Sequence, residues 1–317
     1  MPSLPKPSHQ EPRPLYGIGL KVLSVMIFVG MQTCLKAVGD DVPAGQLVFF
    51  RSFFALIPVV IYLWWLGDLR TALATDDVGG HFIRGIVGVT SMGLGFFALS
   101  RLPYPEWISL SYGAPLLTVV FAAIFLKEVV RAYRWVAVLV GLCGIVIVAA
   151  PNFSLSSGDM DSAHAVGALA SLGGAAMAAI AMIQVRRLVA HEKTATIVVY
   201  FSMTCSIIAL VTVPFGWVVP DGRQAMLLVG AGLCGGVGQL LLTACYRYAD
   251  TSTIAPFEYT SMIAAVVIGY FVFNEEVTAT TLLGACIVIS AGLFIIFREH
   301  RLGLERRRAR KVSPPSP

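Results

Sequence analysis

The sequence is short of charge. Asp, Glu, Lys and Arg make up only 13% of its 317 residues, against 57% hydrophobic residues, and mean hydropathy is +0.79. A water-soluble domain needs far more polar surface, so a soluble enzyme is excluded and lipid is the solvent this composition demands. Cysteine pairing motifs are also missing. The six cysteines (Cys34, Cys143, Cys205, Cys234, Cys245 and Cys286) stand singly in apolar segments without CxxC spacing, which reads as small core residues, not a zinc or redox centre. There is no Walker A loop, so the chain is not expected to hydrolyse ATP itself. His9, His81, His164, His191 and His300 fall in tails or near the ends of apolar runs, none beside a Ser or Cys in a catalytic arrangement. No metal site and no cofactor are expected. The acidic pairs Asp40-Asp41 and Asp76-Asp77 are neighbours in loops at opposite faces, a poor Mg2+ site, which counts against an enzyme acting on a lipid-linked substrate.

What is present is a series of long apolar runs. A crossing of the hydrocarbon slab takes roughly 20 residues, and ten runs fit, at about 16–38, 43–67, 81–101, 105–126, 132–150, 165–187, 195–219, 224–247, 252–273 and 279–297. The expected fold is an all-α membrane protein of ten transmembrane helices. Residues 1–15, rich in proline, read as a disordered tail. The first apolar run is a full span without a small-residue cleavage site, so it is not read as a signal peptide. Residues 151–164, rich in Ser, Gly and Asp, read as a linker, with 16–150 before it, 165–297 after it and a basic tail at 298–317. With the N-terminus inside, the inner loops and tails hold most of the Lys and Arg, while the outer loops hold only Lys36, Arg101 and Arg223. This bias places both termini in the cytoplasm and the linker in the periplasm. The net charge of +5 therefore reports topology, and no nucleic-acid partner is expected.

An internal repeat divides the chain. Phe125-Leu126-Lys127-Glu128-Val129 closes the fourth span and Phe273-Asn274-Glu275-Glu276-Val277 the ninth, and the same offset pairs Gly144 with Gly292. Five spans per half force the second half to enter the membrane upside down. The flanking charges agree: Arg131 and Arg134 follow the first copy, and threonines follow the second.

Two five-span halves with these turns resemble the drug/metabolite transporter superfamily, in its EamA-type branch. The resemblance covers about 16–297. Its most specific pieces are Ala114-Pro115-Leu116-Leu117 and Ala255-Pro256-Phe257-Glu258-Tyr259-Thr260, each preceding its Phe-x-x-Glu turn. Lys127 stands where the family commonly has Gly. The resemblance implies two inverted five-helix repeats with a binding cavity between them, and the third and eighth spans among its walls. Gly85, Gly88, Gly93 and Gly95 in the third span, and Gly230, Gly232, Gly235, Gly236 and Gly238 in the eighth, suit either close packing or that wall.

Charges inside spans are the sharper signal, because an ionised group at the bilayer centre costs roughly 2.5–3.5 kcal/mol on insertion scales. Lys21 lies near the cytoplasmic end and can snorkel; Arg51 is too deep for that, and either pairs with a carboxylate or faces the cavity. Glu106 reads as a first-turn carboxylate and Trp107 as an interfacial ring, although Trp107 is also a cavity candidate. Glu258, after Pro256, is the candidate for proton coupling. Tyr112 and Tyr259 occupy nearly equivalent places and could stack on a flat ligand. Gln32, Thr90, Ser91, Ser111, Gln184 and Gln239 add uncharged polar groups. Glu128 and Glu276 are expected to serve the N-termini of the helices that follow them.

These residues describe a secondary carrier for a small organic metabolite in a bacterial inner membrane, with the bilayer as its other partner and a homodimer left open. Gly45-Gln46-Leu47-Val48-Phe49-Phe50-Arg51-Ser52 and the Ala-Pro-Phe-Glu-Tyr-Thr segment look most like the riboflavin and S-adenosylmethionine importers of the branch. Riboflavin uptake is the leading expectation. S-adenosylmethionine uptake and export of an amino acid, metabolite or drug are the alternatives.

Overall fold

Within hydrocarbon every backbone N–H and C=O must find its partner inside the chain, so apolar runs of this length fold as helices. The computed structural model describes residues 14–39, 41–125, 130–153, 162–189, 192–248 and 254–312, and no strand occurs among them. The protein is an all-α membrane protein. Its first part holds α1 (Pro14–Ala37), α2 (Ala44–Trp65), α3 (Val78–Leu99), α4 (Tyr104–Ser111), α5 (Gly113–Phe125) and α6 (Ala132–Ala149). Its second part holds α7 (Ser162–Val189), α8 (Thr194–Leu210), α9 (Gly222–Tyr248), a 3-10 turn (Ala255–Tyr259), α10 (Thr260–Phe273) and α11 (Ala279–Val312). The expected Lys127-Glu128 turn, and most of the 1–15 tail and of the linker, lie outside the described residues.

Among the described residues nine segments are long and apolar enough to cross a membrane, with α4 and α5 counted as one. The seventh run, α8, has 17 residues, at the short end of the roughly 17–25 that span. Large apolar side chains face outward all around the bundle, Trp65 at 77% and Phe271 at 75% exposure among them, a surface only lipid can satisfy.

The fourth run breaks where its proline dictates. Pro115 has no N–H to return to the Ser111 carbonyl, and the helix is interrupted at Tyr112, four residues earlier than the next free donor would allow it to heal. In the ninth run Pro256 likewise sits in the 3-10 turn that precedes α10. The turn closing α10 places Asn274 in the left-handed region (φ 52°), a conformation Asn tolerates, and returns the Glu275 N–H to the Gly269 carbonyl at 2.9 Å. The cap of α11 is not Glu276, as expected, but Thr278, whose hydroxyl accepts the Thr281 N–H at 3.2 Å. A short hydroxyl adjacent to the first turn reaches that donor where the longer carboxylate is not needed.

Helix contacts follow an exchange pattern. α1 packs on α9 and α7 on α3; α2 packs on α9 and α8 on α3; α5 packs on α7 and α10 on α1. The remaining counterparts meet each other, as α2 with α8, α4 with α10 and α6 with α11. Small residues set the closest approaches, as expected where lipid offers no hydrophobic drive for association. Gly236 faces Ala55 and Pro58 of α2, and Gly85 and Gly88 face Thr204 and Phe201 of α8, so these glycines serve close packing. Gly144 and Gly292, equivalent in sequence, make different contacts: Gly144 lies on Gly284 of α11, and Gly292 beneath the Tyr259 hydroxyl.

Candidate functional site

A cavity of about 260 Å³ opens between α1, α2, α3, α4 and α7. Gln32, Met31 and Phe28 reach it from α1, Arg51 from α2, and Ser91, Met92, Gly95 and Phe96 from α3. The broken fourth span gives Trp107 and Ser111, and α7 closes the far wall with Ser171, Gly174, Ala175 and Ala178. Five of the residues expected from sequence, Gln32, Arg51, Ser91, Trp107 and Ser111, are therefore brought together. The glycine-rich third span lines the cavity through Gly95; the eighth span, the other expected wall, contributes none of the lining residues, and the sixth takes its place.

Most of the polar groups here are already committed to backbone. The Ser91 hydroxyl donates to the Gly174 carbonyl at 2.9 Å, the Ser111 hydroxyl to the Trp107 carbonyl at 2.8 Å, and the Trp107 indole N–H to the Gly95 carbonyl at 2.9 Å. Trp107 is thus not an interfacial belt residue but a buried one (6% exposed), fixed against α3 with its ring on the cavity. Gln32 accepts from the Tyr104 hydroxyl at 2.9 Å, which orients its amide. Glu106, beside Trp107, accepts from the Asn152 side chain in the first turn of α4.

Arg51 differs from these. It is 4% exposed, and no hydrogen bond or ion pair joins it to any described residue. The Phe201 ring of α8 lies 5.7 Å from its Cζ. Arg84 of α3 lies over the same ring at 4.1 Å, also without a described partner for its Nε. Two cations therefore share one aromatic ring, which is worth about 0.5–2 kcal/mol to a cation, against the larger cost of holding each inside the bilayer.

The other expected site residues lie elsewhere. Thr90 is exposed on the outside of α3 and donates to the Ile86 carbonyl at 2.9 Å. Tyr112 and Tyr259 form an edge-to-face pair with centroids 5.0 Å apart, and the Tyr112 hydroxyl meets Ser261 Oγ at 2.7 Å. They lock the broken fourth and ninth spans together away from the cavity lining. Gln184 and Gln239 are half-buried outside that lining. Glu258 pairs with Lys21 across α1 and the ninth span, the ammonium fully buried and the carboxylate half exposed, and it does not border the cavity.

Sequence reasoning missed one arrangement directly above the cavity. Lys36, one turn beyond Gln32, pairs with Glu275 at 2.8 Å and donates to the Leu102 carbonyl at 2.7 Å, while Glu275 also accepts the Tyr104 N–H at 2.7 Å. In the sequence Lys36 counts only toward topology and Glu275 only toward the repeat, although opposite signs at the ends of the first and ninth spans are a usable signal. At the opposite end of the bundle Lys193 pairs with Asp68 at 3.2 Å, and Thr75 donates to Glu192 at 2.6 Å. No group of potential metal ligands occurs among the described residues.

Comparison with known proteins places this arrangement. An S-adenosylmethionine uptake transporter of Rickettsia felis is 26% identical over 287 residues, covering 90% of this chain and 94% of the relative. A riboflavin transporter of Vibrio cholerae is 28% identical over 277 residues, 86% of this chain and 88% of the relative. A pseudopaline exporter of Pseudomonas aeruginosa is 30% identical over 280 residues, 87% and 94%. A crystal structure shares the fold with a TM-score of 0.64 at 17% identity, covering 90% of this chain and 98% of that one. The sequence profile of the EamA-like transporter family matches residues 15–150 and again 165–298. With a cavity among packed apolar helices and both halves matched, the chain belongs to the EamA-like transporter family.

Proposed function

We propose that this transporter is a secondary carrier that moves a small organic metabolite across a bacterial inner membrane by alternating access. In this reading it has ten crossings, two halves of 16–150 and 165–297 inserted in opposite orientation, and both termini in the cytoplasm. The observation that carries it is the cavity lined by helices of both halves, with Trp107 on one side and Gln32 and Arg51 beside it. The exchange pattern of helix contacts supports the inverted repeat, and the Lys/Arg bias supports the orientation. Lys36 and Glu275 then close the periplasmic mouth, and Lys21 and Glu258 tie the cytoplasmic ends of the first and ninth spans. Glu258 remains the coupling candidate through that tie: a proton on its carboxyl would weaken its attraction to Lys21 and loosen the inner end.

Riboflavin and S-adenosylmethionine are the leading cargoes, supported by the resemblance of the second and ninth spans and by the names of two relatives. A pseudopaline exporter among the relatives supports export as the second reading. Uptake of labelled riboflavin and labelled S-adenosylmethionine by strains auxotrophic for each, with and without this protein, tests the proposal. A protein-dependent gain for one of them is expected; no gain for either removes both cargoes.

A further inference from the structure

The reading above gives Arg51 no task, yet it is the charged residue of the lining and its Nε, like the Ser171 hydroxyl, has no hydrogen-bond partner among the described residues. Its guanidinium lies within the bundle with 4% of the residue exposed, it borders the cavity, and its Nε has no hydrogen-bond partner. A buried charge is ordinarily paired or neutralised by hydrogen bonds. The carboxylates that could have served are engaged elsewhere: Glu258 with Lys21, Glu275 with Lys36 and the Tyr104 N–H, Glu106 with Asn152, and Glu192 with Thr75. Arg84 also lies over the Phe201 ring and raises the local positive charge further. Among the described residues, the neighbourhood is therefore a positive pocket with no carboxylate paired to Arg51.

We propose that Arg51 is the anion subsite of the cavity and that it receives a carboxylate of the transported solute. This rests on the carrier reading and narrows its substrate class to metabolites with an ionised carboxyl group. A planar guanidinium presents two parallel N–H donors that match the two carboxylate oxygens. The lining from α7 includes Gly174, Ala175 and Ala178, small residues that take little of the cavity's volume. Gln32 and Trp107 face the same space and suit a polar or flat remainder. Within this scheme S-adenosylmethionine, which ends in an α-amino carboxylate, satisfies Arg51. Riboflavin, which carries no ionised group at neutral pH, leaves it unsatisfied.

The test uses the full chain in lipid nanodiscs and two matched pairs of probes: S-adenosylmethionine against its decarboxylated analogue, and flavin mononucleotide against riboflavin. Titration calorimetry is expected to show S-adenosylmethionine binding at least about tenfold more tightly than the decarboxylated form. Arg51→Gln should bring that ratio below about twofold. Arg51→Lys, a point charge without the fork, should keep part of the preference, and reads the subsite if the Gln variant does not fold. Arg84→Gln, outside the lining, should keep it. Equal affinity within the first pair, a preference confined to the flavin pair, a preference that survives Arg51→Gln, or no binding by any probe each overturns the subsite. Uptake of another solute by a protein that fails this test leaves the carrier standing; a carboxylate preference without any uptake leaves the subsite standing and removes the carrier.

Discussion

Lys36 Nζ stands 2.8 Å from Glu275 Oε1, and the same carboxylate accepts the Tyr104 N–H at 2.7 Å, so one ion pair fastens three segments over the cavity. The Tyr104 hydroxyl continues downward to Gln32. The end of α1, the turn after α10 and the start of α4 are thereby joined to the lining itself. Both charges are largely shielded, Lys36 at 12% and Glu275 at 16% side-chain exposure, so this pair should contribute more than the 0–1 kcal/mol of a surface bridge.

Neutralising this pair should open that end. In Glu275→Gln the Lys36 ammonium keeps only its carbonyl acceptors, a loss of about 1–3 kcal/mol. Cys34, half-buried in the last turn of α1, reports the change. With the other cysteines replaced by alanine, its reaction with a membrane-impermeant maleimide should accelerate several-fold in Glu275→Gln. An unchanged rate would mean the pair does not close the mouth.

The Lys21–Glu258 pair makes a prediction about partners. Removing one member of a buried pair takes away an attraction and keeps the desolvation cost of the other, whereas removing both takes away the two together. Lys21 is the buried member, at 1% exposure. Glu258→Gln should therefore lower the melting temperature in nanodiscs, and Lys21→Met with Glu258→Gln should recover much of it, a positive coupling in a double-mutant cycle. If Glu258 also couples transport to protons, the single variant should lose the pH dependence of uptake. Uptake that keeps its pH dependence in Glu258→Gln would assign the coupling to another group.

How much of this could be read in the sequence depends on what kind of signal each residue gave. Gln32, Arg51, Ser91 and Ser111 were legible because a polar group in an apolar run must find a partner or a cavity, whatever the fold around it. Thr90 illustrates the limit: it gives the same signal as Ser91, but one residue is about 100° around a helix, and its hydroxyl satisfies itself on the Ile86 carbonyl. Gly174, Ala175 and Ala178 were silent, since a small residue facing a cavity and one facing another helix look alike. Tyr112 and Tyr259 read as rings for a flat ligand, and sequence could not show that the two would meet each other.

The crossing of α6 and α11 should be intolerant of even one methyl group. A Cβ on Gly144 would lie 2.9 Å from the Gly284 carbonyl oxygen and 2.9 Å from Val288 Cγ2 on α11. Backbone cannot rotate out of the way as a side chain can. Gly144→Ala should destabilise the protein by about 1–3 kcal/mol, the usual range for overpacking. Gly93, with open space where its Cβ would lie, is the control, and Gly93→Ala should melt close to the parent. Equal melting of the two variants would show that this crossing is looser than its geometry implies.

Filling the cavity separates transport from folding. Ala178 lines the cavity from α7, and a leucine there occupies space that is empty rather than packed. Because apolar surface is added where no atom must be displaced, Ala178→Leu should leave the melting temperature near the parent value. The same side chain takes volume from a space of about 260 Å³, already below the roughly 300–1,000 Å³ common for small-molecule sites. Uptake of the transported solute should fall at least about tenfold while the amount of folded protein in the membrane stays constant. Lipid-facing Ile263→Ala, at 70% exposure, should leave uptake intact. Full uptake by Ala178→Leu would show that the solute passes elsewhere, since no route through this cavity could accommodate both.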